Sequence, residues 1–467
     1  MEDGNEMNNT LSNNVIICPV MHNSWTSCKW ASRRFKYQLS ITSFRIEWQQ
    51  EAGPGEKSGG LFLFGMSNNL LHNRVIGHEH GLWSLGSGQP DGRPMGMSLG
   101  MVCNQFMPYG KIQGNVFHDN KKFGFYMDNQ FPRQVETNCD GMASNERWGP
   151  KPTCGMFKHS GEDNGIVCRI EDQFDWHNEF VGGYFAGDIS WVRYTSINND
   201  HPIYWKWSKN FVDGKSVHIQ DSLIVNDRND HVKGILRLLL PGGPFAFRMR
   251  NVTIAGGPVG AEAPLSAPHH CGMVFMNDGV PGSMCTGQIL LEDVDMSRIV
   301  RSPGEPEHLV TFLGTGKGNP LAPIFLARDS SLDGLSSIVS PLLNGFGLVP
   351  GCSGPHEKWD GGWACGQEVA VRRLTIWAPD MGNLQLIGPG YLVEPDWSDP
   401  VLGSNGGVLH WDGEKRQPFP TRWEGGYAAP VVLGQAYVLE GLRWTGEDSD
   451  IIIEVSRSLL KSLKIFS

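Results

Sequence analysis

Between Asp172 and His231 the chain gathers residues that could do chemistry on a sugar polymer. The stretch holds Asp175 and His177, then Arg193, then the run Tyr204-Trp205-Lys206-Trp207. Rings stack on pyranose faces, and charged groups hydrogen-bond hydroxyls or carboxylates. Two carboxylates flanking a glycosidic bond allow hydrolysis. A Lys, His or Arg group beside a uronate allows proton abstraction and elimination instead. The catalytic candidates are therefore Asp175, His177 and Arg193. The ligand-binding candidates are Tyr204, Trp205, Lys206 and Trp207. The alternative is that alternate rings of this run pack inward.

Such residues need elements to hold them, and the sequence supplies a recurring phrase. It reads apolar-x-apolar-x-polar and returns at Ile189–Arg193, Val217–Asp221, Phe247–Asn251, Ile289–Asp293, Phe325–Asp329 and Val369–Arg373. Weaker relatives centre on Asn73 and Asn115. A repeat of roughly 20–50 residues marks a solenoid. Period-two alternation makes each phrase a strand with one inward face, and a single strand cannot bury that face alone, so the coils must stack. The expected fold is all-β, a right-handed parallel β-helix of the pectin-lyase-like kind with a small C-terminal β cap. The expected division is an irregular segment over 1–34, the β-helix over 35–385, and a cap and tail over 386–467. Asn73, Asn115, Asp221, Asn251 and Asp293 are read as one corner position, a ladder that satisfies backbone groups at the turns rather than a row of catalytic groups. Arg193 and Arg373 interrupt it, and a guanidinium there needs an acidic partner or an outward path.

Composition narrows the partners. Charged residues make up 19% of the 467, the formal net charge is −10, and there are 59 Gly. The glycines suit many tight turns, and the negative charge argues against nucleic acid, whose phosphates call for clustered Lys and Arg. No apolar run is long enough to span a bilayer. The polar, acidic start lacks a basic region followed by an apolar stretch, so it does not read as a signal peptide. Ten cysteines include four close pairs, Cys18/Cys28, Cys139/Cys154, Cys271/Cys285 and Cys352/Cys365, mostly around Gly-, Pro- or Asn-rich loops. They are read as disulfide candidates, with Cys103 and Cys168 left over. Sequons at Asn8 and Asn251 agree with secretion, although the corner position suggests that Asn251 is buried and unmodified. The expectation is an extracellular or cell-surface segment of a longer protein, or a chain lacking its leader.

Other motifs carry less. His78-Glu79-His80 puts two imidazoles on one strand face, but no third ligand completes a zinc site. The acidic loops Gly161–Gly165 and Asn226–Asp230 can bind calcium but lack EF-hand spacing. Gly96-Met97-Ser98-Leu99-Gly100 matches a nucleophile elbow without its strand–turn–helix context. No cofactor is expected beyond calcium.

Residues Asn68 to Trp83, then Gly114-Asn115-Val116-Phe117-His118-Asp119-Asn120, then Ile219 to Val225, resemble the β-helix region of the fibrocystin and cell-surface hyaluronidase family. There an Asn-x-Val-x-Gly-Ser stretch precedes a Gly-Asn-x-Ala-His-Ser phrase. Here the second phrase reads Phe117-His118-Asp119. The resemblance implies an extracellular β-helix. One branch of the family binds or depolymerises hyaluronan, and another is receptor-like without assigned chemistry. His118 joins the catalytic candidates from this resemblance, with no role attached. The functional expectation is an extracellular protein that binds, and as an enzyme depolymerises, a hyaluronan-like polysaccharide. The alternative is a non-enzymatic adhesion or receptor segment with a protein ligand.

Overall fold

The computed structural model describes residues 7–17, 37–40, 45–48, 59–63, 65–85, 108–128, 168–185, 189–199, 201–205, 217–227, 237–240, 247–257, 272–276, 288–299, 309–313, 324–328, 331–339, 349–359, 361–377, 385–388, 408–411, 415–418, 421–423, 426–434, 438–440 and 452–455. The short alternating phrases form strands that pair in parallel with their counterparts one coil away. Cys168–Glu171 lies on Ile189–Val192, Phe174–Trp176 on Thr195–Ile197, and Val181–Phe185 on His201–Trp205. Each of the first five coils thus has three strands, a first, a very short second and a third, and from the sixth coil the first two run together as one strand. The third strands make an eight-stranded parallel sheet, one per coil, while the first and second strands belong to a larger sheet. The protein is a parallel β-helix. Equivalent residues are 21 apart between the fourth and fifth coils but 59 apart between the first and second, and the register between coils is kept at both separations.

The helix begins earlier and ends earlier than the sequence suggested. Thr10–Ser12 and Val15–Ile17 pair in parallel with Asn69–Leu71 and Arg74–Ile76, so the N-terminal stretch expected to be irregular contains the first coil. Tyr37–Ser40 and Arg45–Trp48 form an antiparallel pair. At the other end the parallel stack of coils stops at Ile324–Arg328, on which Ser337–Val339 lies antiparallel, and the one later parallel pair among the described residues is Gln385–Gly388 with Val408–Trp411. Val371–Trp377, which carries one copy of the coil phrase, pairs antiparallel with Gly426–Val432 and Ile452–Val455. Alternation there reflects a cap strand, because period two marks any half-buried strand and not only a coil. Antiparallel strands at the end of a solenoid also cover an open edge that would invite pairing with other chains.

The core runs down the inside of the coils. One inward column is Leu70, Ile112, Ile170, Trp191, Ile219, Met249 and Leu291, all 1% exposed or less. Fully burying one such side chain stabilises the fold by about 1.5–3 kcal/mol. A second set of rings, Trp83, Tyr126, Tyr184 and Tyr204, is also buried but stands apart from this inner core. It follows the third strands in register, with Tyr184 stacked on Tyr126 at 4.7 Å and on Tyr204 at 4.8 Å.

The corners explain the polar residues. The expected single ladder is two neighbouring columns. The outer column is Asn13, His72, Gly114, Asp172, Arg193, Asp221, Asn251 and Asp293, all at positive φ. Asn and Asp tolerate this conformation best, through local hydrogen bonds. At Gly114 a Cβ would stand 2.3 Å from the His72 ring. Asn73 and Asn115 belong one residue later, in an inner column. The Asn73 backbone N–H and Nδ2 both donate to Asn115 Oδ1 at 3.0 Å, and Asn14 Nδ2 donates to Asn73 Oδ1 at 2.8 Å. A second inner ladder follows the short strands. Asn120 Nδ2 donates to Asn178 Oδ1, and Asn178 Nδ2 to Asn199 Oδ1, each at 2.8 Å. The ladder reading holds for the inner columns. Asp221, Asn251 and Asp293 are exposed instead.

Cys352 and Cys365 are disulfide-bonded, on adjacent antiparallel strands. Cys168 is buried, and its Sγ accepts from the Tyr109 backbone N–H at 3.3 Å. Cys18, Cys28, Cys139, Cys154, Cys271 and Cys285 lie outside the described residues, as does Cys103. No helix among the described residues is long and apolar enough to cross a membrane.

Candidate functional site

In the first five coils the second strand is only three residues long, so its outward side is a stripe bounded by two corners, and in the sixth coil the stripe continues on the longer strand Ile219–Asp227. Three residues span roughly 10 Å at ~3.3 Å each. In Val116–His118 and Phe174–Trp176 the middle residues, Phe117 and Asp175, point inward and are fully buried. The flanking residues point outward and are partly exposed. The stripe therefore carries Val116 and His118 on the third coil, Phe174 and Trp176 on the fourth, Thr195 and Ile197 on the fifth, and Leu223 and Val225 on the sixth.

Two sequence candidates meet here. His118 stacks on Trp176 with ring centroids 4.4 Å apart and planes at 16°. Asp119, at the corner, lies 2.6 Å from His118 Nδ1 through Oδ2 and 3.6 Å from His177 Nδ1 through Oδ1. The His177 ring packs at 4.8 Å against Trp176. Asp119 and His177 both sit at positive φ, which swings their side chains to the stripe's edge. The result is one carboxylate between two imidazoles beside an indole. An ionised Asp119 accepts from His118 Nδ1–H and leaves Nε2 as the basic nitrogen.

Sequence reasoning gave Asp119 no role and, although Trp176 stands in the ring-rich segment, did not choose it as a ligand-binding residue, while the signal was present. Aligning Phe117-His118-Asp119-Asn120 with Asp175-Trp176-His177-Asn178 on their ladder asparagines sets His118 beside Trp176 and Asp119 beside His177.

Arg193 stands at the opposite edge of the stripe. Its Nε donates to Asp172 Oδ1 at 2.6 Å, and its Nη2 reaches Asp172 Oδ2 at 3.0 Å and Glu171 Oε2 at 3.2 Å. Gln113 Nε2 donates to Asp172 Oδ2 at 3.0 Å. The hydrogen bond from Arg193 is the main cause holding the Asp172 carboxyl below its ordinary range. The acidic partner that a guanidinium at this corner needs is thus present, and its charge is balanced locally. Arg373 lies in the cap, opposite Pro430.

The remaining candidates do not face this stripe. Asp175 is inside the solenoid, where it accepts from Gln173 Nε2 at 2.8 Å. Burial pushes its carboxyl well above the usual range, against the opposing effect of hydrogen bonds from Gln173 and Tyr194. Trp205 is 1% exposed and packs inside against Phe185, Phe247 and His218, so protein occupies the ring that was expected to stack on sugar. Tyr204, 5% exposed, lies on Tyr184 in the other buried set. The reason is parity: adjacent residues of a strand point to opposite sides, and both sides of this third strand are covered. Lys206 and Trp207 lie outside the described residues.

His78, Glu79 and His80 separate. Burial drives the His78 imidazole down to about 4, Glu79 pairs with Lys122, and His80 stacks on Phe123 at 5.2 Å. Among the described residues no group of three or more His, Cys, Asp or Glu is arranged to hold a metal ion. The loops 161–165 and 228–230 and the nucleophile-elbow string at 96–100 lie outside the described residues.

Compared with protein-family models and with curated proteins, the chain matches none.

Proposed function

We propose that this protein is an extracellular β-helix that binds a polysaccharide along the stripe of the third to sixth coils. The observation that carries the reading is the partly exposed His118–Trp176 stack with Asp119 and His177 at its rim. A partly exposed indole beside hydrogen-bonding groups suits a pyranose face and its hydroxyls. Coils repeat every ~4.8 Å along the axis, so a linear polymer lying along the stripe meets a new pair of side chains at each step. Asp119 orients His118 as a general base, an arrangement that supports proton transfer and hence cleavage of the bound polymer. A hyaluronan-like glycan follows from the family resemblance. The local balance of Arg193 by Asp172 and Glu171 favours a neutral sugar in its immediate surroundings, since a uronate needs uncompensated positive charge.

The test is a glycan array on the secreted, oxidised chain, with and without calcium, followed by a size assay of any bound polymer. Binding that drops tenfold or more in Trp176→Ala, a change of about 1.4 kcal/mol, supports the stripe. Shortening of the polymer that His118→Ala abolishes makes the protein an enzyme. A folded sample that binds no glycan sinks the proposal.

One observation favours the adhesion reading as the second choice. Val15, Ile17 and Leu223 are exposed at 62%, 61% and 40% on the outward side of the same series of strands. Exposed apolar side chains suit a protein partner better than a sugar. Charged replacements at Val15 and Ile17, outside the glycan stripe, that leave glycan binding intact but release a protein ligand would favour it.

A further inference from the structure

The second corner motif left unexplained is Asn251-Val252-Thr253. The sequence placed Asn251 in a buried slot, but the structure turns it to solvent, at φ 49° in the outer column. Val252 is 1% exposed and anchors the strand in the core. Thr253, on the same side as Leu223 of the preceding coil, is partly exposed. Alternation therefore puts the two sequon residues outside and the intervening valine inside. Asn251 Nδ2 donates to Asp221 Oδ1 at 2.8 Å. An amide nitrogen carries two hydrogens and this bond needs one, so replacing the other leaves the corner contact intact.

We propose that Asn251 carries an N-linked oligosaccharide, an inference that rests on the extracellular reading above. Its Nδ2 forms a bond to the anomeric carbon of a lipid-diphosphate-linked oligosaccharide. The bond from that carbon to the diphosphate oxygen breaks, the diphosphate leaves, and Nδ2 gives up one proton. The corner lies two coils from Arg193 in the same column, roughly 10 Å along the axis. A glycan there stands at the C-terminal end of the stripe and limits a polysaccharide to the coils before it.

The experiment secretes the full chain from a glycosylating eukaryotic host behind an added leader, with one control sequon in a flexible C-terminal tail. Peptides are mapped after peptide-N-glycosidase treatment in heavy-oxygen water, which converts an occupied Asn to labelled Asp. The expected result is label at both Asn251 and the tail. Thr253→Ala should lose the label at Asn251 alone, and Thr253→Ser should keep it. An unlabelled Asn251 in a folded, secreted chain whose tail is labelled overturns the proposal. Polysaccharide binding is measured on the same sample, so the functional reading and this one can fail separately.

Discussion

Trp176 and Trp191 lie on adjacent coils, yet they do opposite work. Trp191 is fully buried, with Phe125 at 5.0 Å, Phe185 at 4.2 Å and Tyr194 at 4.8 Å around it. Trp176 stands on the outward side of a three-residue strand against two imidazoles. Asp175 and Asp119 repeat the contrast for carboxylates: one is sealed inside, the other lies between histidines in solvent. The lesson is that strand parity, rather than local composition, decides whether a side chain stabilises the solenoid or meets a ligand.

The comparison breaks most visibly at the tryptophans. Trp191→Ala should destabilise the fold by about 3–5 kcal/mol, the cost of a large cavity. Trp176→Ala should change stability by less than about 1 kcal/mol while weakening glycan binding. Urea midpoints of the two variants, measured together, decide the matter, and equal losses would erase the distinction between the faces.

Asn178→Ala comes next, because it removes two donors and an acceptor from the middle of a buried ladder. Leaving their partners unsatisfied should cost about 2–3 kcal/mol. The same urea titration reads it, and a loss no larger than that of an exposed corner variant such as Asp221→Ala would deny the inner column its role.

Asp175 sharpens the contrast through pH. Its folded pKa lies above the unfolded one, so its contribution is fully present below the unfolded value, near pH 4, and is lost as pH rises through the folded value. Asp175→Asn should therefore be the more stable protein at neutral and alkaline pH, with the two converging towards acid. Thermal melts from about pH 4 to 9 would show it. A constant gap at every pH would mean that Asp175 is not held neutral inside the solenoid.

The smallest effect is expected at Arg193. Its partner Asp172 has a lowered folded pKa, so that pair contributes above the unfolded value and loses its contribution as the solution is acidified. Both groups are well exposed, and salt screens them. Arg193→Gln should lower the melting temperature slightly at low salt and not at high salt. A large loss that salt does not change would point to a structural role beyond the ion pair.

These contrasts also mark where the sequence was readable. Its alternation disclosed the parallel solenoid, and the spacing of Cys352 and Cys365 disclosed their bridge. The corner columns were misread by one residue because polar letters fill both. Asn73 is the inner ladder residue and Arg193 the outer one, and only the register between coils separates them. Trp205 looked like part of a groove because cations and rings surround it in the chain, whereas its strand faces core on both sides. His118 and Asp119 are a coil away from Trp176 and His177, and equivalent residues of the two coils are 58 apart in the chain. Their meeting depends on pairing geometry that linear proximity does not carry.

The unequal coil lengths have a mechanical consequence. Each coil is held to the next by its own backbone bonds, with amide ladders added among the first five, so a chain pulled from its ends should yield at its termini, one coil at a time. The length released is set by the chain stored in each coil. The 21-residue interval between the fourth and fifth coils would release about 70 Å, and the 59-residue interval between the first and second about 200 Å. A force–extension trace of this molecule should be a staircase of uneven treads, and their order would spell out how much chain separates each coil from the next.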